Sequence, residues 1–205
     1  MLRGLAALAL AALFAGTASA GELSVIVRDA RGAPLPDAVV TIPAPAGSSR
    51  PAFPWKLEIA QQNRQFAPFV LIAPQGAEVA FPNLDRFRHH VYSFSAGNRF
   101  ELELYGREER RTVTFRTLGA AAIGCNIHDQ MVAFVRVVDT PFAAKTDAAG
   151  GAVIANAPNG PVRVTVWHPY ARARDQIVTS QAVIAADGST RLEITLDVAP
   201  PAAHH

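Results

Sequence analysis

The 205-residue chain predicts an all-β protein. Three observations carry that expectation. Short runs of β-branched and aromatic residues alternate with polar ones, the period of strands with one buried face. Turn signals built from Gly, Pro, Asn and Asp separate the runs, drawing on 14 Gly and 15 Pro. No window sustains a helical period of apolar residues. Short strands at regular spacing point to β-sandwich architecture.

Residues 1–20 stand apart from this pattern. Met1-Leu2-Arg3 is a positive start, residues 4–14 are an unbroken apolar run, and Ala18-Ser19-Ala20 fits a small-x-small cleavage site. The expectation is a cleaved signal peptide, a mature start at Gly21 and export to a bacterial periplasm. The apolar run is too short to span a bilayer, and no later stretch approaches the roughly 20 apolar residues needed. The formal charge of +2 includes Arg3, and there is no basic run. Nothing in the charge pattern points to nucleic acid or to an anionic membrane surface. Cys125 is the one cysteine. In an oxidising compartment a structural cysteine normally has a partner. Cys125 is therefore an intermolecular bridge, a buried thiol or a ligated thiolate.

The mature chain opens with a strand at 23–27, a turn at Asp29-Ala30-Arg31-Gly32 and a strand at 38–42. Residues 43–54, rich in Pro, Ala, Gly and Ser, read as a linker or surface loop, and Phe53-Pro54-Trp55 as a segment packed on a domain edge. A new unit begins near Leu57, with strands at 57–59, 66–72, 78–81 and 89–94; Pro68 lies at the edge of the second. Residues 100–105 alternate apolar and acidic, as a half-buried strand should. A strand follows at 112–115, residues 119–124 bring the chain to Cys125 from a strand ending at Ile123, and an almost wholly apolar strand lies at 132–138. Tyr92, Phe94, Tyr105 and Phe134 are expected in the core of this middle unit. The last part carries turns at 146–151 and 157–161 and strands at 152–154, 162–167 and 191–196. Trp167-His168-Pro169-Tyr170 reads as an aromatic strand end packing that part, and 199–205 as a disordered tail.

The two flanks read as halves of one module. Gly32-Ala33-Pro34-Leu35-Pro36-Asp37-Ala38-Val39-Val40 resembles the opening of a carboxypeptidase-regulatory-like (transthyretin-like) β-sandwich. Such modules continue with Thr-Asp-x-x-Gly and a Pro-x-Gly turn, which Thr146-Asp147-Ala148-Ala149-Gly150 and Pro158-Asn159-Gly160 supply about a hundred residues later. Neither flank is long enough to bury a core alone. The expected organisation is a discontinuous outer sandwich, 21–46 with 141–198, around a middle domain at 57–138.

Chemistry concentrates in Gly124-Cys125-Asn126-Ile127-His128-Asp129-Gln130-Met131. A thiolate, an imidazole and a thioether within seven residues are ligand types of an electron-transfer copper site, in which two His and one Cys form a plane with a weak axial Met. His89-His90 upstream offers the second imidazole, and the residues alone leave the choice open. Zinc fits less well, because a thioether is not a usual zinc ligand. A Cys125–His128 nucleophilic pair fits less well again, with no acidic orienter or oxyanion donors evident beyond Asp129.

Residues 60–138 resemble the cupredoxins. Gly76-x-Glu78-Val79-x-Phe81-x-Asn83 precedes the first histidine and Cys125-x-x-His128-x-x-Met131 follows it, with a ligand-loop spacing similar to amicyanin. Phe81-Pro82-Asn83-Leu84-Asp85 and His89-His90-Val91-Tyr92-Ser93-Phe94-Ser95 resemble periplasmic cupredoxin-like proteins of the methylamine utilization type. The resemblance implies a cupredoxin Greek-key β-sandwich, inserted in or fused to the second, Ig/transthyretin-like β-sandwich. It implies one type 1 copper ion held by His89, Cys125, His128 and Met131. In the family register His89 is the ligand and His90 takes a position commonly held by Asn, while Ile127 stands where amicyanin-like loops often carry proline. The implied activity is single-electron transport, not catalysis. The partner would be a redox protein such as a dehydrogenase or cytochrome c, docking transiently at an apolar patch around His128. The alternatives are a copper-binding carrier without a redox partner, and an adhesion-like β module with a structural metal.

Overall fold

The computed structural model describes residues 20–186 and 188–200. The expected signal peptide falls outside them except for Ala20, as do residues 201–205 of the expected tail. Among the described residues the chain is all-β, with strands in five sheets and one short 3-10 turn at Arg174–Gln176.

In chain order the first strands are β1 (Ala20–Asp29), β2 (Val39–Thr41), β3 (Ala60–Gln62), β4 (Gln65–Ala67), β5 (Val70–Pro74) and β6 (Ala77–Ala80). Then come β7 (His89–Ser93), β8 (Phe100–Tyr105), β9 (Thr112–Phe115), β10 (Gly119–Gly124) and β11 (Val132–Val138). The last are β12 (Ala143–Lys145), β13 (Gly151–Pro158), β14 (Gly160–Trp167), β15 (Ile177–Ile184) and β16 (Ser189–Leu196).

The first two strands share two sheets with the last five. One sheet runs β13-β1-β16 and another β12-β2-β14-β15. In β1 the alternation is clean: Leu23, Val25 and Val27 are buried while Ser24, Ile26 and Arg28 are half-buried. These residues join Val40, Ile42, Val164, Val166 and Leu196 in one core between the two sheets. Thr146 ties the ends together, its hydroxyl accepting from the Ala38 amide and donating to the Leu35 carbonyl.

The intervening chain forms a five-stranded sheet, β5-β11-β10-β7-β8, with the hairpin β3-β4 and the pair β6-β9. Its core holds Ile59, Phe81, Tyr105, Phe115, Ile123, Cys125 and Met131. The apolar character of β11 on both faces has a structural reason. Ala133, Val135 and Val137 line this core. On the other face Phe134 and Val138 meet Trp167 and Val39 of the flanking strands in a further apolar cluster. A strand buried on both sides cannot alternate with polar residues.

Several expectations need correction. The strand expected at 66–72 is two, β4 and β5, parted at the cis peptide Ala67-Pro68. Phe94 is not core but 64% exposed, and Phe134 lies between the two halves of the molecule. In β8 the expected alternation fails at Leu104, which is exposed, while Tyr105 is fully buried. The cause is a shift of register, with Val91 opposite Leu102 but His89 opposite Tyr105. β8 fits one extra residue there, and a one-residue slip exchanges the faces. β12 and β15 were not legible. Ala-Ala-Lys has no strand signature, and β15 is mostly half-exposed. Phe53 and Trp55 stack on each other at 4.6 Å, and the Trp55 indole donates to the Ile72 carbonyl, as expected of an edge-packing segment. Ala199 is not free: its amide donates to the Tyr170 carbonyl at 2.8 Å. No helix among the described residues is long and apolar enough to cross a membrane.

Candidate metal centre

Three donor side chains meet at one end of the middle sheet. His89 opens β7, Cys125 follows the last residue of β10, and His128 lies in the turn leading to β11. The pairing of Gly124 with Tyr92 brings the end of β10 beside β7. An added Cβ at Gly124 would lie 2.8 Å from the Cζ and hydroxyl of Tyr92, so a larger residue there has to push the end of that side chain aside. The Met131 amide donates to the His128 carbonyl at 2.9 Å and closes the turn before β11.

The Cys125 Sγ lies 3.9 Å from His89 Nδ1 and 4.0 Å from His128 Nδ1. All three ligand atoms fall within 4.8 Å of one another. This is a cluster capable of coordinating a metal. Bond lengths near 2.3 Å to sulfur and 2.05 Å to nitrogen, as for zinc, put S and N about 3.8 Å apart in a trigonal plane and about 3.6 Å apart in a tetrahedron. The observed separations of 3.9 and 4.0 Å are slightly longer than both. The donor set, one soft thiolate and two imidazoles, suits copper in either oxidation state.

Neighbouring residues divide the two adjacent histidines. His89 is fully buried, and its Nε2 donates to Asp85 Oδ2 at 2.8 Å, leaving Nδ1 toward the thiol. His90 turns the other way, with Nε2 2.9 Å from Glu101 Oε1. Its buried Nδ1 has no partner. His90 is thus outside the cluster. Met131 is 1% exposed and shares a core with Cys125.

Sequence reading missed Asp85 and Phe87. Both sit in an irregular loop, so no periodicity marks them. The Phe87 ring packs 4.9 Å from His89 and 5.7 Å from His128, and the two imidazoles are 5.1 Å apart. Burial pushes the Asp85 carboxyl up, but hydrogen bonds from His89 and from the Arg64 and Asn63 amides outweigh it and hold the group below the usual carboxylate range. His128 is pushed below the ordinary imidazole value by burial first, then by His89 and Arg64, with Asp85 partly opposing. A neutral imidazole is the form that binds a metal. Beside His128, Phe87 and Ile127 are 40% and 47% exposed, an apolar edge at the surface.

His168 is a different kind of buried histidine. Its Nδ1 accepts from the Tyr170 amide at 3.2 Å, so the segment 167–170 folds on itself as an aromatic strand end. Burial lowers its pKa, with Asp37 and the Pro36 carbonyl opposing. The sign follows from linkage. The unfolded chain takes up a proton near pH 6.5 and the folded chain only at lower pH, so stability falls as pH drops below about 6.5. The urea midpoint of the metal-free protein is expected to decline between about pH 7 and about pH 5, and His168→Gln to make that decline shallower. Equal slopes in the two proteins would exclude His168 as a contributor.

No family model matches the chain. No curated protein matches it either. Among solved structures, a purple cupredoxin from Nitrosopumilus maritimus is 20% identical with a TM-score of 0.36, over 40% of this chain and 100% of that one. A Cu-containing nitrite reductase from Thermus scotoductus SA-01 is 27% identical with a TM-score of 0.39, over 48% of this chain and 25% of the enzyme. A reduced amicyanin variant is 18% identical with a TM-score of 0.38, over 48% of this chain and 98% of that one. Each likeness covers less than half of this chain.

Proposed function

We propose that the protein is a type 1 copper protein that carries single electrons between redox partners in the periplasm. The observation that carries this reading is the Cys125 Sγ with an imidazole Nδ1 at 3.9 Å on one side and at 4.0 Å on the other. Copper bound there would supply a one-electron Cu(II)/Cu(I) couple. Cys125, His89 and His128 would hold it, with Met131 as a further, weaker donor, a soft thiolate and thioether beside two imidazoles suiting both oxidation states. The buried ends of β7 and β10 hold His89 and Cys125 still, so little rearrangement accompanies a change of charge. His128 is half-buried beside the exposed side chains of Phe87 and Ile127, which suits brief docking of a protein such as a dehydrogenase or cytochrome c. Transport of this kind requires no substrate pocket, and we read the protein as a carrier, not an enzyme.

The reading extends to the rest of the chain. We take residues 57–138 as a cupredoxin domain inserted in a transthyretin-like sandwich formed by 21–46 and 141–198. Its support is that β1 and β2 find their partner strands among β12, β13, β14 and β16.

Voltammetry of the copper-loaded protein tests the function. The expected result is a reversible one-electron couple with fast electron exchange. A protein that holds copper as Cu(I) and passes the ion to another copper protein would instead be a copper carrier.

A further inference from the structure

An imidazole binds a metal through the nitrogen that lacks a proton, and the group facing the other nitrogen decides which that is. For His89 the facing group is the Asp85 carboxylate, 2.8 Å from Nε2. An ionised carboxylate only accepts hydrogen bonds. Nε2 therefore carries the proton, and the Nδ1 lone pair points toward Cys125 and His128.

The carboxylate is itself held. The Asn63 amide donates to Oδ1 at 2.8 Å and the Arg64 amide to Oδ2 at 3.1 Å. Both amides belong to the tip of the β3-β4 hairpin, where Asn63 and Arg64 have φ of 55° and 57°. Two consecutive left-handed residues make a type I′ turn, whose second position favours glycine. Arg64 occupies that position although its Cβ makes the left-handed conformation unfavourable. On the loop side, Asn83 Oδ1 accepts from the Asp85 amide at 2.9 Å, and Asn83 Nδ2 donates to the carbonyls of Phe87 and Tyr105. The hairpin and the loop thus fix Asp85 from two directions, and Asp85 fixes His89.

We propose that Asp85 is the positioning residue of this centre: held by the Asn63–Arg64 turn, it keeps His89 in the Nε2–H tautomer and, as a fixed negative charge behind the ring, makes His89 a stronger donor to the more oxidised metal ion. The statement about oxidation state rests on the copper reading above; the tautomer does not.

The test uses two variants and two measurements. Two-bond proton–nitrogen correlation spectra of the metal-free protein are expected to show His89 protonated at Nε2 in the wild type. Asp85→Asn keeps an oxygen for Nε2–H and is expected to keep the tautomer; Asp85→Ala is expected to let the Nδ1–H form appear beside it. In the copper-loaded proteins, Asp85→Asn is expected to weaken Cu(II) about tenfold more than Cu(I), which raises the potential by about 59 mV. Asp85→Ala is expected to weaken Cu(II) by about 10–100-fold, as loss of an outer-shell partner does. A wild-type His89 protonated at Nδ1, or an Asp85→Ala variant with the tautomer unchanged, overturns the positioning role. A tautomer that responds while the potential stays fixed overturns the effect on oxidation state. A wild type that binds no copper leaves the tautomer result standing and overturns the electron-carrier reading along with the effect on oxidation state.

Discussion

Cys125→Ser is expected to abolish the intense visible absorption of the copper-loaded protein and to widen its copper hyperfine splitting. The reason is covalency. A thiolate would give the metal a soft, strongly mixing donor, and a hydroxyl does not replace it. Cu(II) affinity is expected to fall by more than about a hundredfold, beyond the usual cost of losing an outer partner. The metal-free fold is expected to survive. Cys125 is 3% exposed, and serine is a near-isostere, so the cost is that of a poorly paired buried hydroxyl, about 1–3 kcal/mol. Absorption and electron paramagnetic resonance spectra of both proteins, with circular dichroism as the folding control, decide the matter. A wild-type protein that stays colourless with Cu(II), or a serine variant with the wild-type spectrum, would sink the type 1 assignment.

Trp167→Ala is expected to destabilise the metal-free protein by about 3–5 kcal/mol, the usual cost of deleting a large buried aromatic side chain. Trp167 ends β14 in the flanking part and is 2% exposed. Its ring meets Phe134 of β11 at 6.0 Å, and the Arg136 guanidinium lies 5.4 Å from its centroid. The Arg136 charge is held on this face against the cost of burial, which pulls its pKa below the usual guanidinium value. Removing the indole opens a cavity between the two halves and leaves Arg136 without its aromatic face. At this chain length the loss corresponds to a melting temperature roughly 6–20 °C lower. Calorimetry checks it. A shift under about 2 °C would mean that the two halves do not depend on this contact for stability.

The all-β class and most strands were legible because their cause is local. Alternation in residues 23–27 and 162–167 follows from one face meeting a core. Two donors of the cluster were legible for the same reason, since Cys125 and His128 lie in one short loop. Phe94 misled because an aromatic residue in a strand pattern reads as core, whereas its place near the strand end leaves it at the surface, with the Arg99 guanidinium 4.9 Å from its ring centroid. Leu104 misled because the extra residue in β8 depends on its partner strand and has no mark in β8 itself.

By itself, the sequence determined the kind of fold and the kind of ligand, both set by residue chemistry over a few neighbouring positions. Tertiary structure decided between His89 and His90, which are adjacent and both buried, so hydrophobicity cannot separate them. The choice comes from the irregular pairing opposite His90 and from Asp85 behind His89. It also decided that Asn63 and Arg64, 26 and 25 residues before His89, help to orient it through Asp85. Such couplings depend on which strands pair and in what register. That is settled by packing across the whole chain and leaves no period in any short window.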